Sequence, residues 1–275
     1  MITDATAKIT EVNRTFSRIT GYTSDEVLGK NPKILQSGRH SPEFYNEMWH
    51  TLLTRGRWRG ELWNRRKNGE VFPIMLTISA VKNAAGFVQH YVSLCTDITT
   101  MKAYQGQLEH IAYYDVLTNL PNRVLLAERL SQAMAQCRRR NLSLAVVFMD
   151  LDGFKEVNDN HGHKEGDELL ITVSQRMKEA LREGDTLARI GGDEFIAVMI
   201  DLESYEESKP VLDRLLKAAA APVSLNGKAM NISASIGVTL YPPDGSDADQ
   251  LMRHADQHTY IAKQAGKKRY RLLAT

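Results

Sequence analysis

A stretch of ten residues, RIGGDEFIAV at 189–198, places two adjacent glycines and two acidic residues inside an apolar run. The β-prone segments TLARI and FIAVMI around it predict an antiparallel hairpin with Gly191-Gly192 at the turn. A plain turn needs one glycine and tolerates any polar neighbour. Two carboxylates, Asp193 and Glu194, beside a backbone without side chains therefore indicate a positively charged group that must approach the backbone closely.

A second acidic turn follows the apolar strand predicted from LSLAVVFMD at 142–150, which ends on Asp150. A carboxylate at the end of a buried strand is costly unless it is paired or binds a cation. One alternative is that Asp150 and the nearby Asp152 form the N-cap and first turn of a helix. A calcium loop is excluded, because Gly153 is fourth in DLDGFKEVND rather than sixth and no glutamate is twelfth.

If both turns lie at one edge of the same sheet, Asp150 and Asp193 can share a divalent metal ion. Oxygen donors without a neighbouring cysteine or histidine favour magnesium or manganese. Two such ions, about 3.5–4 Å apart, would serve phosphoryl or nucleotidyl transfer. The chain has no GxxxxGK[ST] motif, which excludes a P-loop nucleotide site.

The order of helix and strand patterns predicts the fold. From Asp115 onward they alternate, which predicts an α+β palm of the ferredoxin-like kind, with helices over an antiparallel sheet. Residues 1–98 predict a strand pair, short helices with N-caps at Ser24 and Ser41, and a three-stranded antiparallel sheet with a hairpin at Asn68-Gly69. Between these regions, a connecting helix has near-heptad apolar positions that suit pairing with a second copy.

Composition narrows the classes of function. A chain of 275 residues has room for two ordinary domains, and a formal net charge of +2 gives no global electrostatic case for nucleic-acid binding. Its two cysteines, without a CxxC spacing or a histidine cluster, argue against a disulfide framework and a zinc site. No apolar run approaches the roughly 18 residues that cross a bilayer, so we expect a cytoplasmic protein with no transmembrane segment in this chain.

Three spaced segments carry a resemblance to a known family: YDVLTNLPNR (114–123), FMDLDGFKEVNDNHGHKEGDELL (148–170) and RIGGDEF (189–195). Together they resemble the GGDEF domain of diguanylate cyclases, from Asp115 to near the C terminus. The resemblance implies an enzyme that condenses two GTP molecules into cyclic di-GMP with release of pyrophosphate. It also implies a homodimer in which each protomer holds one GTP, and a product that inhibits the enzyme.

The resemblance assigns roles to the residues of both turns. The residues that match the family's ligands for two Mg²⁺ or Mn²⁺ ions are Asp150, Leu151 through its carbonyl, Asp193 and Glu194. The residues that match the catalytic turn are Gly191, Gly192, Asp193 and Glu194. The glycines of that turn leave room for the α-phosphate, and Glu194 matches an acid implicated in catalysis or metal binding.

The resemblance also assigns contacts with GTP. Asn158 and Asp167 match the residues that bond the guanine edge, and Asp167 would discriminate against adenine. Phe154 and Lys155 match positions that offer backbone amides or charge to the β- and γ-phosphates.

The C-terminal KQAGKKR matches the family pattern K-x-x-G-R-N and gives Lys263 and Lys267 as phosphate contacts. Here the chain departs from the family, because Lys267 and Lys268 replace the usual Arg-Asn. Lysine keeps the positive charge but loses the bidentate geometry of arginine.

The segment REGD, from Arg182 to Asp185, matches the RxxD motif at which the family binds its product as an inhibitor. Arg214 is a weaker candidate for the partner arginine on a neighbouring surface. The alternative for Arg182 and Asp185 is an ion pair at the end of a surface helix.

The N-terminal region resembles a PAS sensor domain with its trailing PAC motif, through ITEVNRTFSRITGYTSDEVLGKNP, GRWRGELWNRRKNGE and HYVSLCTDIT. Some PAS cores hold haem, flavin or small molecules, and the sequence leaves the ligand open. His40, His50 and His90 are more typical of surface or sheet histidines than of haem ligands. We therefore expect a PAS sensor domain at 1–98, a helical linker at 99–114 and a GGDEF domain at 115–275.

Two other functions remain open. The first is a catalytically silent GGDEF module that binds GTP or cyclic di-GMP as a receptor. Such modules usually lose one of the motif residues, whereas this chain keeps Asp150, Asn158, Asp167 and the GGDE turn. The second is a scaffold whose PAS domains bring partners together, which leaves the carboxylates unexplained.

Overall fold

The computed structural model of the chain describes residues 1–225, 227–266 and 269–272. The chain divides into two compact units, Met1–Gln107 and Leu108–Thr275. Each unit has its own sheet and its own hydrophobic core. No helix among the described residues is long and apolar enough to cross a membrane.

The first unit is an antiparallel sheet with helices. Its strands are β1 (Ile2–Asp4), β2 (Ile9–Glu11), β3 (Arg57–Arg65), β4 (Val71–Lys82) and β5 (Val88–Asp97). Its helices are α1 (Arg14–Thr20), α2 (Ser24–Val27), α3 (Pro42–Arg55) and α4 (Thr99–Tyr113), which continues into the second unit, with a 3₁₀ turn at Pro32–Leu35. The strands are ordered β2-β1-β5-β4-β3 across the sheet.

The turn between β3 and β4 lies at Asn68-Gly69, as the sequence predicts. Gly69 has a φ of +91°, and the Asn68 side chain accepts the backbone N–H of Glu70 at 3.0 Å. The predicted N-cap at Ser24 is wrong, because Ser24 is the first residue of α2 and Thr23 is the cap. The Thr23 N–H donates to the Glu26 carboxylate at 2.9 Å, a bond available only from the position before the helix.

The second unit is a mixed α and β domain. Its strands are β6 (Ser143–Asp152), β7 (Thr186–Gly191), β8 (Glu194–Leu202), β9 (Val223–Leu225), β10 (Lys228–Met230), β11 (Ser233–Tyr241) and β12 (Tyr270–Leu272). Its further helices are α5 (Arg123–Arg140), α6 (Phe154–His161), α7 (His163–Glu179), α8 (Lys209–Ala220) and α9 (Ala248–Gln264), with a 3₁₀ turn at Tyr205–Ser208. The main sheet has the order β12-β11-β6-β8-β7 in the described part of the chain.

The predicted α+β palm is confirmed, with two differences at its edges. The strand β12 pairs with β11 in the parallel direction, and β9 and β10 form a separate hairpin. The sequence did not predict these three-residue strands, whereas it did predict the equally short β1 and β2 as a strand pair.

Strand β6 is apolar throughout because both faces of the sheet are covered. Ala145, Val147 and Met149 belong to the core formed with α6, α7 and α8. Leu144, Val146 and Phe148 belong to the core formed with α5 and α9. A strand that is covered on both faces shows a continuous apolar run rather than an alternating pattern.

Gly237 on β11 allows α9 to pack closely against the sheet. A Cβ added at Gly237 would lie 2.0 Å from the carbonyl oxygen of Ala255 and 2.4 Å from the backbone nitrogen of Thr259. The Thr259 hydroxyl also donates to the Phe148 carbonyl at 3.1 Å. These contacts fix α9 against β6 and β11, and α9 carries Lys263 toward the end of β6.

Candidate active site at the glycine turn

The acidic residues of the two turns meet at one end of the main sheet. Because β6 and β8 are antiparallel neighbours, Asp150 lies directly opposite Glu194. The Leu151 N–H donates to the carbonyl of Asp193 at 3.2 Å. The structure therefore brings together two pairs of residues that lie far apart in the sequence, Asp150 with Leu151 and Asp193 with Glu194.

Lys263 of α9 reaches this group of carboxylates. Its Nζ lies 2.6 Å from Oδ2 of Asp150, and the Asp150 side chain is only 15% exposed. Burial and the negative charge of Asp150 raise the pKa of Asp193. Burial and the nearby acids Asp150, Asp256 and Asp193 likewise raise the pKa of Glu194, partly offset by Arg123. The site concentrates negative charge that a cation would neutralise.

The chemistry of these donors fits a hard divalent cation, because carboxylate and carbonyl oxygens are the usual ligands of magnesium and manganese. Among the described residues, no three Asp, Glu, His or Cys side chains are gathered closely enough to hold a metal ion. The cation that contacts Asp150 in this structure is the Lys263 ammonium group. The residues thus fit magnesium or manganese in donor type, although one oxygen of Asp150 is paired with lysine.

The glycine turn leaves open space beside its backbone. Gly192 has a φ of +51°, which side chains other than glycine rarely adopt. A Cβ added at Gly191 or Gly192 would meet no atom within 4 Å. The open side of this turn suits a group that must lie against the backbone.

An arginine inside the motif holds the turn in place. The Nε and Nη2 atoms of Arg189 donate to the Gly192 carbonyl at 3.0 and 2.8 Å. Its Nη1 donates to Oδ1 of Asp115 at 2.9 Å. Burial tends to raise the pKa of Asp115, but hydrogen bonds from Thr118 and Arg189 outweigh it and lower that pKa. No local pattern in the sequence indicates this contact between Arg189 and Asp115, although both residues lie in the motifs.

Asp152 is a structural residue of the neighbouring strand pair. It is 7% exposed and accepts hydrogen bonds from the hydroxyls of Ser233 at 2.8 Å and Ser235 at 2.9 Å. The alternative that Asp150 and Asp152 cap a helix is wrong, because the N-cap of α6 is Gly153 and makes no side-chain bond.

A groove of about 430 Å³ adjoins the carboxylates. Its lining includes Asp150, Asp193 and Lys263 together with Phe154 and Lys155 at the start of α6. The Lys155 side chain is exposed, whereas Phe154 is buried. Lys267 lies outside the described residues.

The predicted guanine contacts lie on α6 and α7. Oδ1 of Asn158 is buried and has no hydrogen-bond partner among the described residues. Gly166 packs against it, since a Cβ added there would lie 1.9 Å from this oxygen. Asp167, the next residue, is exposed. Gly166, which packs against the unsatisfied oxygen of Asn158, thus immediately precedes Asp167 in the chain.

The predicted inhibitory residues lie near one turn before β7. Oδ2 of Asp185 accepts the N–H of Arg182 at 3.1 Å, and Oδ1 accepts the N–H of Ile200 at 3.2 Å. Arg214 on α8 donates to the Ala180 carbonyl at 3.1 and 3.0 Å, which brings it beside this turn. In the described ranges, the Arg182 guanidinium makes no ion pair with Asp185.

The first unit contains a cavity of about 190 Å³. The hydroxyl of Tyr45, which lines it, is buried without a hydrogen-bond partner among the described residues. Of the histidines considered above, none lines this cavity within the described chain. His40 accepts the backbone N–H of Trp63 at 2.9 Å, while His50 and His90 are exposed.

Comparison with protein families gives two matches. Residues 112–269 match the family described as diguanylate cyclase, GGDEF domain, and residues 1–100 match the PAS domain family. These matches confirm both resemblances, and they confirm that the PAS domain precedes the GGDEF domain along the chain.

Curated relatives share these regions. The bifunctional diguanylate cyclase/cyclic di-GMP phosphodiesterase MucR of Pseudomonas aeruginosa is 39% identical, over 73% of this chain and 29% of MucR. The cyclic di-GMP phosphodiesterase PdeR of Escherichia coli is 30% identical, over 97% of this chain and 40% of PdeR. The chain thus spans a minority of the length of these relatives.

Among solved structures, the GGDEF domain of TpbB (YfiN) from Pseudomonas aeruginosa superposes with a TM-score of 0.56 and 37% identity. This match covers 57% of the chain and 99% of the solved domain.

Proposed function

The chain belongs to the GGDEF family of diguanylate cyclase domains, with a PAS domain before it, and from this membership we propose that it is a diguanylate cyclase. It condenses two GTP molecules into cyclic di-GMP, releases pyrophosphate, works as a dimer and is regulated through its PAS domain.

The observation that carries this proposal is the pairing of Asp150 with Glu194 across β6 and β8, beside a glycine turn that is open to a ligand. Phosphoryl chemistry needs positive charge near the phosphates and a carboxylate near the attacking hydroxyl. Lys263 and the acids Asp150, Asp193 and Glu194 supply both kinds of group within one site.

Magnesium or manganese ions, two per active site, would be held by Asp150, the Leu151 carbonyl, Asp193 and Glu194. When bound, they would neutralise phosphate charge and polarise the reacting oxygens. Lys263, which pairs with Asp150 in this structure, would contact a phosphate of GTP if Asp150 were a metal ligand.

The chain's own residues bind and orient GTP. Asn158 and Asp167 bond the guanine edge, and the unsatisfied Asn158 oxygen supports this role because a buried polar atom without a partner is unfavourable. The backbone at Phe154, the charge of Lys155 and the C-terminal Lys263 and Lys267 hold the phosphates. Gly191 and Gly192 admit the α-phosphate against the backbone.

In the reaction, the 3′-oxygen of one GTP forms a bond to the α-phosphorus of the other. The bond from that phosphorus to the bridging oxygen breaks, and pyrophosphate leaves with both electrons of that bond. The hydroxyl proton passes to the Glu194 carboxylate. Its raised pKa favours this role, because a carboxylate that ionises less readily is a better proton acceptor. A second, equivalent step closes the ring.

Cyclic di-GMP inhibits the enzyme at Arg182 and Asp185, with Arg214 beside them. The support is their common position at the turn before β7, away from the groove at the carboxylates. Arginine suits guanine and phosphate groups, and aspartate suits the guanine N–H edge.

The second candidate is a receptor module that binds GTP or cyclic di-GMP without turnover. The ion pair between Lys263 and Asp150 favours it, because a permanent lysine contact would take the place of a metal ion. The relative PdeR, which carries the name of a phosphodiesterase, also aligns with nearly the whole chain.

One assay separates these candidates. The protein is incubated with GTP and magnesium, and cyclic di-GMP and pyrophosphate are measured for wild type, Asp193→Ala and the control Asp213→Ala, an exposed acid of α8. We expect the control to match wild type and Asp193→Ala to lose about 100-fold or more while remaining folded. Near-native turnover by Asp193→Ala at saturating magnesium would contradict the site, and wild-type protein that binds GTP without product would establish the receptor.

A further inference from the structure

The cavity of the first unit is lined largely by apolar side chains. Its volume is about 190 Å³, and its walls come mainly from α3, the 3₁₀ turn at Pro32–Leu35 and strands β3, β4 and β5. The apolar side chains that line it include Leu35, Met48, Leu62, Leu76 and Ile78. Two aromatic rings join them, because Trp49 of α3 and Tyr91 of β5 pack edge to face with their centroids 5.5 Å apart. Walls of this composition suit a flat apolar ring.

The volume of the cavity limits the ligand to a single ring. A dry apolar cavity of about 150 Å³ is large enough to bind benzene. The cavity of the first unit is slightly larger, which leaves room for a short substituent on such a ring. The macrocycle of haem and the fused three-ring system of a flavin are both far larger than benzene. Neither fits this cavity, which separates this chain from the PAS domains that hold those cofactors.

One polar atom at the cavity lacks a partner. The hydroxyl of Tyr45, which lines the cavity, is buried and has no hydrogen-bond partner among the described residues. Burial also raises the pKa of Tyr45, so the group remains a neutral O–H donor at neutral pH. A buried donor without a partner is unfavourable, and a ligand oxygen that accepts its hydrogen bond removes that cost.

The charges around the cavity exclude a cationic ligand. Among the described residues, no Asp or Glu side chain lines it, and Lys33 is the one lysine or arginine that does. Lys33 is exposed and makes no ion pair within the described part of the chain. A cation would find no counter-charge in this lining, whereas an oxygen acceptor finds a hydroxyl donor and an ammonium group.

We propose that the first unit binds a one-ring aromatic compound that carries a carbonyl or carboxylate oxygen. The ring lies among the apolar side chains, and the oxygen accepts a hydrogen bond from the Tyr45 hydroxyl. The sequence leaves the ligand of the PAS domain open, and this cavity gives that ligand a chemical class. The inference does not rest on the proposed reaction at the glycine turn, which belongs to the second unit.

Titration calorimetry of the full chain with acetophenone, benzoate and toluene tests this inference. The three probes share one ring and differ in whether they carry a carbonyl, a carboxylate or no acceptor. The variant Tyr45→Phe keeps the ring of the side chain and removes only the hydroxyl, so it should stay folded, which circular dichroism checks. The matched control is Tyr104→Phe, an exposed tyrosine of α4 that does not line the cavity.

We expect wild type to bind acetophenone, benzoate or both more tightly than toluene. Tyr45→Phe should weaken the binding of these oxygen-bearing probes about fivefold, as the loss of one hydrogen bond does, and keep toluene within about twofold. Tyr104→Phe should match wild type with every probe. Tighter binding of benzoate than of acetophenone, lost in Lys33→Gln, identifies a carboxylate ligand, and tighter binding of acetophenone identifies a neutral carbonyl.

The inference is overturned if none of the three probes binds. Equal affinities of wild type and Tyr45→Phe for acetophenone and benzoate would overturn it as well, because the hydroxyl then does not contact the ligand. Haem or flavin mononucleotide that displaces acetophenone would contradict the limit to one ring. Because the readout is binding and not cyclic di-GMP formation, each of these failures leaves the proposed function standing.

Discussion

Gly166 tests the role of Asn158, because it is the residue whose lack of a side chain leaves room for that amide. In Gly166→Ala, the new Cβ would start 1.9 Å from Oδ1 of Asn158 and must displace it. We expect the affinity for GTP to fall about tenfold, or 1.4 kcal/mol, with the fold retained. Titration calorimetry with GTP checks the loss of affinity.

The matched control is Gly106→Ala on α4, another helical glycine, where an added Cβ would meet nothing within 4 Å. It should keep wild-type affinity and gain about 0.5–1 kcal/mol of stability, because alanine favours the helix. Equal affinities for Gly166→Ala and wild type would remove Asn158 from the GTP site.

Asp115 gives the molecule a pH-dependent contribution to stability. Its pKa lies below the ordinary aspartate value near 3.8 in the folded state, so the folded protein holds this proton less tightly than the unfolded chain. The contribution is therefore present above that ordinary value and is lost as pH falls through the lowered pKa. We expect Asp115→Asn to destabilise the protein by about 1–2 kcal/mol at pH 7.

Denaturant unfolding of wild type and Asp115→Asn between pH 7 and pH 3 measures this contribution. The difference in unfolding free energy between them should shrink as the pH falls below about 4, because the unfolded wild-type chain then binds the Asp115 proton more readily than the folded protein does. A difference that stays constant over this range would show that the charge of Asp115 does not stabilise the Arg189 contact.

At this scale, the sequence singled out acids that the structure brings together, but it did not indicate which side chains contact them. Asp150, Asp193 and Glu194 stood out because they interrupt apolar strands. The contact of Arg189 with Asp115 joins residues 74 positions apart, and no local pattern indicates it. The ion pair of Lys263 with Asp150 depends in the same way on how α9 packs over the sheet.

The longer elements were predicted where alternation, helical periodicity or turn residues marked them. The hairpin of β7 and β8 and the hairpin at Asn68-Gly69 follow from alternation and turn residues, and both are confirmed. The three-residue strands β9, β10 and β12 carry no such signal. The parallel pairing of β12 with β11 depends on contacts distant in sequence, which periodicity does not report.

The turn between α7 and β7 carries a prediction of its own. Arg182→Ala should leave the initial rate close to wild type but weaken inhibition by added cyclic di-GMP at least tenfold, about 1.4 kcal/mol of binding. The Asp185 carboxylate accepts hydrogen bonds from the backbone N–H groups of Arg182 and Ile200, and the Arg182 side chain takes no part in them. The turn itself should therefore persist in the variant. Progress curves with and without added product, together with calorimetry, check it.

The control is Arg139→Ala, an exposed arginine of α5 outside this turn. It should bind and respond to cyclic di-GMP like wild type. If Arg182→Ala behaves like this control, the RxxD match marks an ordinary surface turn.

For the whole molecule, the proposed reaction needs two chains, because each holds one GTP and the 3′-hydroxyl of one must reach the α-phosphate of the other. The PAS unit and α4 are the proposed means of bringing two copies together. Along α4, Met101, Tyr104, Leu108 and Ile111 are all exposed, which leaves an apolar stripe suited to a second copy.

The most direct measurement is therefore the initial rate of cyclic di-GMP formation per protomer, with GTP and magnesium, across a dilution series of the wild-type protein. We predict two pyrophosphates for each cyclic di-GMP, and a rate per protomer that falls on dilution below the dimer dissociation constant measured by sedimentation. A specific activity that stays flat far below that constant, or no cyclic di-GMP at any concentration, would contradict the account.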